Sequence, residues 1–437
     1  MKGGNLIEPL AIDLNEILRI HSPQLYEAFS ALGRELYFPR GILTQTSEAK
    51  KAAHRYNATI GIATSAGGPL HLHSLRELLL SIEPEEAFPY TSTTGIPELR
   101  HLWHKHQVES NPRLAGKSFS MPILTTGLTH GLSICADLFC DAGDTLLLTD
   151  KMWGNYRMVF GVRRGADIRL YPFFAEDGGL DTKALRDNLL SLKEKQKVLV
   201  LLNFPNNPTG YSPYPEEAEA IAEALLDAAE AGANIVACVD DAYTGLFYEE
   251  GLFKQSLFSI LADLHPRITA IKIDGPTKED YVWGFRIGFI TFSLAGDGDR
   301  EAAYEALERK VGGLIRGTIS KSSTLSQSLL IRAMKSDAYD EDKRGNFELL
   351  KGRYEEIKQV LSDPHYADAF CAYPFNSGYF MCLQLLDCDA ERLRRHLLEK
   401  YGVGVIAIGE RDIRIAFSCL EREQIKDLFD ILYTGEI

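Results

Sequence analysis

The chain has 437 residues, 45% of them hydrophobic, with 47 Lys and Arg against 61 Asp and Glu. That is too long for one ordinary core and points to two domains, while a formal charge of −14 argues against a general nucleic-acid or anionic-membrane binder. The seven cysteines are scattered without a CxxC, and no basic-then-apolar leader or long uncharged apolar run occurs, so a cytoplasmic, reduced protein is expected.

Residues 1–64 read as helices, LNEILRI and SPQLYEAFSALGREL, interrupted at Pro39-Arg40-Gly41. From residue 65 to 340 short apolar runs recur: MPILTT, DTLLLTD, ADIRLYPF, KVLVLLNF, ANIVACVD, ITAIKID and RIGFITF. Helical stretches separate several of them, the clearest being PEEAEAIAEALLDAAEAG. Alternation of this kind predicts an α/β fold, a three-layer domain with a mostly parallel sheet. Beyond residue 340 a charged helix (EDKRGNFELLKGRYEEIKQVL) opens a smaller α+β region with GYFMCLQLL, ERLRRHLLEKYG and RDIRIAFS. The expected division is a large domain, 65–340, and a small one built from both chain ends, 1–64 and 341–437. His101, His104 and His106 lie in LRHLWHKHQ without acidic or cysteine companions at metal spacing, so a solvated helix face is expected and no metal.

On a mostly parallel sheet, ligands bind beyond the carboxyl ends of the strands, so the residues after each run carry the chemistry. MPILTT leads into Gly127-Leu128-Thr129-His130-Gly131 and then a helix, an arrangement that leaves N–H groups free for a phosphate. KVLVLLNF leads into Pro205-Asn206-Asn207-Pro208-Thr209-Gly210, either a plain turn or a stiff device holding an amide still; an Asn–Pro bond there can be cis. ANIVACV ends in Asp240-Asp241-Ala242-Tyr243, and a carboxylate at a buried strand end needs a cation or donor beside it. ITAIKID delivers Gly-Pro-Thr-Lys278 and then Arg286, two residue types seldom buried unpaired.

One ligand makes these strand ends cooperate: an aromatic aldehyde bearing a phosphate, pyridoxal 5'-phosphate. A lysine amine condenses with the aldehyde if its pKa is tuned downward. The glycine turn and Arg286 suit the phosphate, an aspartate keeps the ring nitrogen protonated, and an amide with a tyrosine hydroxyl suits the phenolic oxygen.

In order and spacing these motifs resemble the fold type I pyridoxal-phosphate enzymes, in particular the class I and II aminotransferases related to the aspartate and aromatic enzymes. The resemblance covers most of the chain and implies cofactor contacts from Asn207, Asp240, Tyr243, Lys278 and Arg286, with Gly127, Leu128, Thr129 and Thr277 at the phosphate. KMWGNYRMVF resembles the segment whose Trp, here Trp153, stacks on the ring. FPYTSTTGIPELR resembles the segment that lends a tyrosine, here Tyr90, to a partner subunit's cofactor, so a homodimer is implied. RDIRIAFS carries Arg414 onto the arginine that grips the substrate α-carboxylate, beside Asn207; LIRGTISKSS carries Arg316 onto the one that enters the neighbour's substrate pocket. Two departures stand out: Gly275 replaces a usual hydroxyl residue, and Leu128 a usual smaller one. IGIATSAGGPLHLH is expected near the substrate pocket without assigned roles.

The resemblance implies a ping-pong transfer of an amino group from an L-amino acid, aspartate- or glutamate-like through Arg316, to a 2-oxo acid. The catalytic residues would be Lys278, Asp240 and Tyr243. Other pyridoxal-phosphate reactions on the same scaffold (β-lyase, decarboxylase, synthase) share the cofactor residues and stay open at this point. So does a sensor domain of a transcription regulator, disfavoured because residues 1–64 are too few and too little basic for a DNA-binding module.

Overall fold

The computed structural model describes residues 8–436 apart from 22, 38–40 and 196, so the Pro39-Arg40 break lies outside the described residues. All seven apolar runs form strands of one sheet: β1 (Ile123–Thr125), β2 (Thr145–Thr149), β3 (Asp167–Tyr171), β4 (Val198–Asn203), β5 (Ile235–Asp240), β6 (Ile268–Asp274) and β7 (Gly288–Ser293). Their order is β1-β7-β6-β5-β4-β2-β3. Only β7 runs antiparallel to its neighbours, and the central pairs lie in parallel register, Asn203 beside Asp240 and Asp240 beside Ile273. The strand tips from three separate stretches of sequence therefore reach one edge of the sheet together. The central strands are buried along their whole length, β4 and β5 at every residue, as a sheet covered on both faces requires.

Helices cover those faces: α3 (Pro97–Ser110), α4 (Leu128–Phe139), α5 (Pro215–Glu230) and α6 (Arg300–Thr318). The alanine-rich inner side of α5, Ala218, Ala222, Ala224, Ala228 and Ala229, lets the helix approach the sheet closely, while Glu217 caps its first turn. Upstream, α1 (Pro9–His21) and α2 (Ile42–Ala52) are joined by short helices, Pro23–Ala28 and Ala31–Glu35, where one continuous helix was expected.

The charged stretch after residue 338 forms α7 (Tyr339–Val360). It leads to a four-stranded antiparallel sheet of β8 (Phe370–Ala372), β9 (Phe380–Leu385), β10 (Ile406–Ile408) and β11 (Asp412–Ala416), and the last helix is α8 (Ile425–Glu436). The two chain ends meet: Tyr56 and Asn57 pair in parallel with Val403 and Gly404, and Arg55 and Tyr56 both bond Asp427 of α8. Among the described residues no helix is long and apolar enough to cross a membrane. All seven cysteines are free thiols.

Candidate active site

The tips of β4, β5 and β6, the start of α4 and the middle of β11 enclose a cavity of about 230 Å³. Leu128, Thr129, Trp153, Asn207, Asp240, Tyr243, Thr277, Lys278, Arg286 and Arg414 all line it, so ten residues singled out from sequence converge from seven separate stretches. Gly127 does not line the wall but supports it. It adopts φ 78°, and a Cβ there would sit 2.5 Å from Arg286 Nη2, so only glycine lets the guanidinium lie against the helix start. The N–H groups of Leu128 and Thr129, in the first turn of α4, have no intrahelical acceptor by the geometry of any helix start and face the positive end of its dipole. Arg286 is itself left-handed, φ 55°, with Nη1 donating to Trp283 O at 3.3 Å.

Asp240 closes the floor. Tyr156 Oη donates to Oδ2 at 2.7 Å, whereas Oδ1 is buried without a partner. Burial pushes this carboxyl up to about 6, opposed by the Tyr156 hydrogen bond and the charge of Lys278. Lys278 Nζ lies 5.2 Å from the centre of the Tyr243 ring. Burial draws its amine down to about 8; Asp240 opposes that shift and Arg286 adds to it. Burial also raises the Tyr243 phenol, which stays a donor at neutral pH. Arg414 is 2% exposed and already uses its fork within the chain: Nη1 donates to Asn207 Oδ1 at 3.0 Å and Nη2 to Thr59 O at 2.9 Å, while Nε is buried and unpartnered. Its guanidinium carbon stands 4.2 Å over the Phe380 ring.

The donor set fits pyridoxal 5'-phosphate on an observation independent of any resemblance. A buried acceptor with nothing to accept from, Asp240 Oδ1, faces the same cavity as an amine of lowered pKa and a guanidinium beside a helix start.

Several expectations need correction. The cis peptide is Phe204–Pro205, not Asn207–Pro208. The Asn207 segment is instead fixed by its backbone N–H donating to Asn203 Oδ1 at 2.9 Å, and Gly210 by its closeness to Phe380 O, 1.9 Å from where a Cβ would be. The histidine face of α3 is not solvated throughout: His104 stacks on Phe119, and His106 pairs with Glu279 at 3.1 Å. Of IGIATSAGGPLHLH only Gly61 reaches the cavity; Ala66 and Gly67 turn a two-residue hairpin in which Gly68 pairs with Ser65, and His71 and His73 are exposed beyond it. Tyr90 and Arg316, expected to reach a partner's site rather than this one, stand away from this chain's own cavity: Tyr90 is 88% exposed beside Lys321, and Arg316 donates to Ser320 Oγ at 2.6 Å.

The two departures turn out to be one packing event. A Cβ on Gly275 would lie 2.9 Å from Gly288 Cα and from Ile287 O, and 3.3 Å from Leu128 Cδ1. The larger Leu128 occupies room beside Gly275, and no hydroxyl side chain fits there. Thr277 Oγ1 meanwhile donates to Ile287 O at 3.3 Å. Sequence reasoning also missed Tyr156, although it lies three residues after Trp153 in the quoted segment, and it missed Asn203, Ile42, Trp283 and Phe380 in the wall. A tyrosine inside an apolar helical stretch reads as core; its bond to Asp240, 84 residues away, is the signal, and that is tertiary.

A seven-stranded sheet with one antiparallel strand and a lysine-bearing cavity at its strand tips is the architecture of a pyridoxal-phosphate transferase. The solved structures with this fold include an aminotransferase of Anaerococcus prevotii (TM-score 0.83, 21% identity, covering 94% of this chain and 99% of that one). Another is the kynurenine aminotransferase of Pyrococcus horikoshii (TM-score 0.77, 16% identity, 95% and 98% covered). In sequence the chain is 24% identical over 364 residues to an aspartate aminotransferase of Sulfurisphaera tokodaii, covering 79% of this chain and 83% of that one. It is 25% identical over 379 residues to a probable aspartate/prephenate aminotransferase of Aquifex aeolicus, covering 84% and 88%. The profile of aminotransferase class I and II matches residues 70–432, and the chain belongs to that family. It is a transaminase whose cofactor is pyridoxal 5'-phosphate.

Proposed function

We propose that the chain moves the amino group of an L-amino acid to a 2-oxo acid in two half-reactions, with the cofactor carried on Lys278. The supporting observation is the unpartnered Oδ1 of Asp240 in one cavity with Lys278 and Arg286. Bound there, pyridoxal phosphate supplies an aldehyde to capture the amine and a ring that withdraws electrons from the substrate Cα.

The rest is done by the chain. Arg286 and the N–H groups of Leu128 and Thr129 hold a phosphate, with Thr277 close by. Asp240, kept ionised above pH 6 and oriented by Tyr156, stabilises a proton on a ring nitrogen. Asn207 and Tyr243 donate to a phenolic oxygen, and Trp153 covers a ring face. Arg414 grips the α-carboxylate, aligning the Cα–H bond for removal of its proton by Lys278 Nζ, which returns that proton elsewhere on the bound pair. The division into a cofactor-binding unit, 65–340, and a unit made of 1–64 and 341–437 belongs to this reading, supported by the pairing of residues 56–57 with 403–404.

We also infer a homodimer, in which Tyr90 reaches the partner's phosphate site and Arg316 its substrate pocket. Leu80, Phe88 and Tyr90, at 97%, 84% and 88% exposure, are large apolar side chains that such a contact would cover. Arg316 then selects a dicarboxylic substrate. A second reading rests on the cavity walls: Ile42, Trp153, Trp283 and Phe380 are apolar, and the charged lining residues already have roles, which favours an aromatic or aliphatic side chain. A spectrophotometric screen of amino acids on the holoenzyme decides between them. Preference for aspartate or glutamate that falls in Arg316→Ala supports the first; preference for apolar amino acids unchanged in that variant supports the second. Repeated turnover without a 2-oxo acid acceptor, rather than one product per site, would overturn the amino-transfer reading.

A further inference from the structure

Lys278 is followed by two carboxylates, and neither lines the cavity. They turn to the back of the loop, where two helices meet them. Glu279 pairs with His106 of α3 at 3.1 Å and with Lys343 of α7 at 3.3 Å. Asp280, fully buried, pairs with Lys343 at 2.8 Å and accepts from Tyr339 Oη at 2.7 Å. From the loop after β5, Gly245 closes on the same spot: a Cβ there would stand 3.0 Å from Glu279 Oε2. From the side of β9, Tyr379 Oη donates to the backbone carbonyl of Lys278 itself at 2.7 Å. The backbone that presents the amine is therefore held by α3, α7 and the approach to β9, and the first two holds are ionic.

Two adjacent carboxylates in a desolvated place repel unless a cation serves both. Among the described residues Lys343 is the one cation paired with both. Burial opposes its charge, but Asp280 and Glu279 raise its pKa and keep it protonated. Lys343 in turn, with His106, holds Glu279 below its ordinary value against burial, and Glu279 lifts His106 against its own burial. Asp280 is the strained member, pushed up by burial despite Lys343. Tyr339 and Tyr281 also face the group, and Arg353 lies beyond Tyr281.

We propose that Lys343, assisted by His106, is a positioning residue: through Glu279 and Asp280 it fixes where the Lys278 amine stands in the cavity. This rests on the reading in which Lys278 carries the cofactor. Without Lys343 the two carboxylates keep a single imidazole between them, and the loop must move or one carboxylate must take a proton. A displacement of about 1 Å in a reacting group costs up to roughly a hundredfold in rate.

The test uses purified holoenzyme of wild type, Lys343→Met, Lys343→Arg and His106→Gln. Two quantities are read: the pH midpoint of the bound cofactor's visible absorbance, and the rate at which saturating amino acid bleaches it. Lys343→Met is expected to move the midpoint by about half a unit or more. It should also slow the saturated rate roughly tenfold, with amino-acid affinity within about twofold. Lys343→Arg restores both quantities, and His106→Gln shifts the midpoint by less in the same direction. If Lys343→Met does not fold, His106→Gln carries the test. Variants that lose thermal stability yet keep the wild-type midpoint and saturated rate overturn the proposal. The same pH-dependent visible absorbance persisting in Lys278→Ala instead defeats the underlying reading.

Discussion

Two lysines six residues apart, on opposite faces of the same strand end, meet two adjacent aspartates with opposite results. On one face Lys272 and Asp241 form a closed ion pair: the lysine also lies 3.4 Å from Asp274, and Asp241 accepts from Ser256 Oγ at 2.6 Å. Asp274 is satisfied in turn by Trp103 and Gln107. On the other face Lys278 and Asp240 are left open, one oxygen of the aspartate unpartnered and the amine standing over Tyr243 without a hydrogen-bond acceptor among the described residues. Burial lowers both ammonium groups, but Asp241 and Asp274 more than reverse that for Lys272, while Asp240 fails to do so for Lys278. Identical residue types thus become a structural strut or a reactive pair according to whether each polar atom finds a partner. A site is where the chain leaves its own groups unanswered.

The largest expected effect falls on the open pair. Lys278→Ala should slow the amino-transfer half-reaction by about 10⁴-fold and abolish the pH-dependent visible absorbance of the bound cofactor, because the amine that holds the cofactor and the base are the same atom. Turnover at the wild-type rate would break the contrast between the lysines. Asp240→Asn should slow the same half-reaction by at least about a hundredfold, since a neutral amide no longer holds a proton on the ring nitrogen; stopped-flow bleaching measures it.

Lys272→Met sharpens the comparison from the closed side. It should destabilise the fold by about 3–5 kcal/mol in denaturant titration by stranding Asp241 and Asp274. The bleaching rate of the folded fraction should stay near wild type.

The smallest effect is a pH dependence. With the amine pKa at about 8, reaction of the apoprotein with pyridoxal phosphate should accelerate as pH rises through 8 and then level off. Between that value and an ordinary lysine's the unfolded chain holds a proton that the folded chain has released. Lys278 therefore contributes a rise of stability with pH across this window, and that contribution should be missing from the slope of Lys278→Met apoprotein compared with wild type. A midpoint near the ordinary lysine value would remove the difference between the two lysines.

Much of this was legible in the order of residues. Seven apolar runs became the seven strands, because continuous β-branched and leucine-rich segments bounded by turn residues have few other places to go. The glycine turn, the PNNPTG turn, DDAY and the lysine–arginine pair came to one cavity because a mostly parallel sheet gathers its carboxyl-terminal tips at one edge. What the order of residues does not carry is which face each tip presents. A strand buried on both sides is apolar throughout, so its period of two is invisible, and Asp240 and Asp241 look alike until the layers above and below them are in place. The partners that separate them, Tyr156 and Lys272, sit 84 and 31 residues away along the chain, and those behind the loop, His106 and Lys343, sit 173 and 64 residues from Glu279. Contacts that distant are decided by packing alone. So was the space that excludes a side chain at Gly275, set by β7 and Leu128 pressing from both sides.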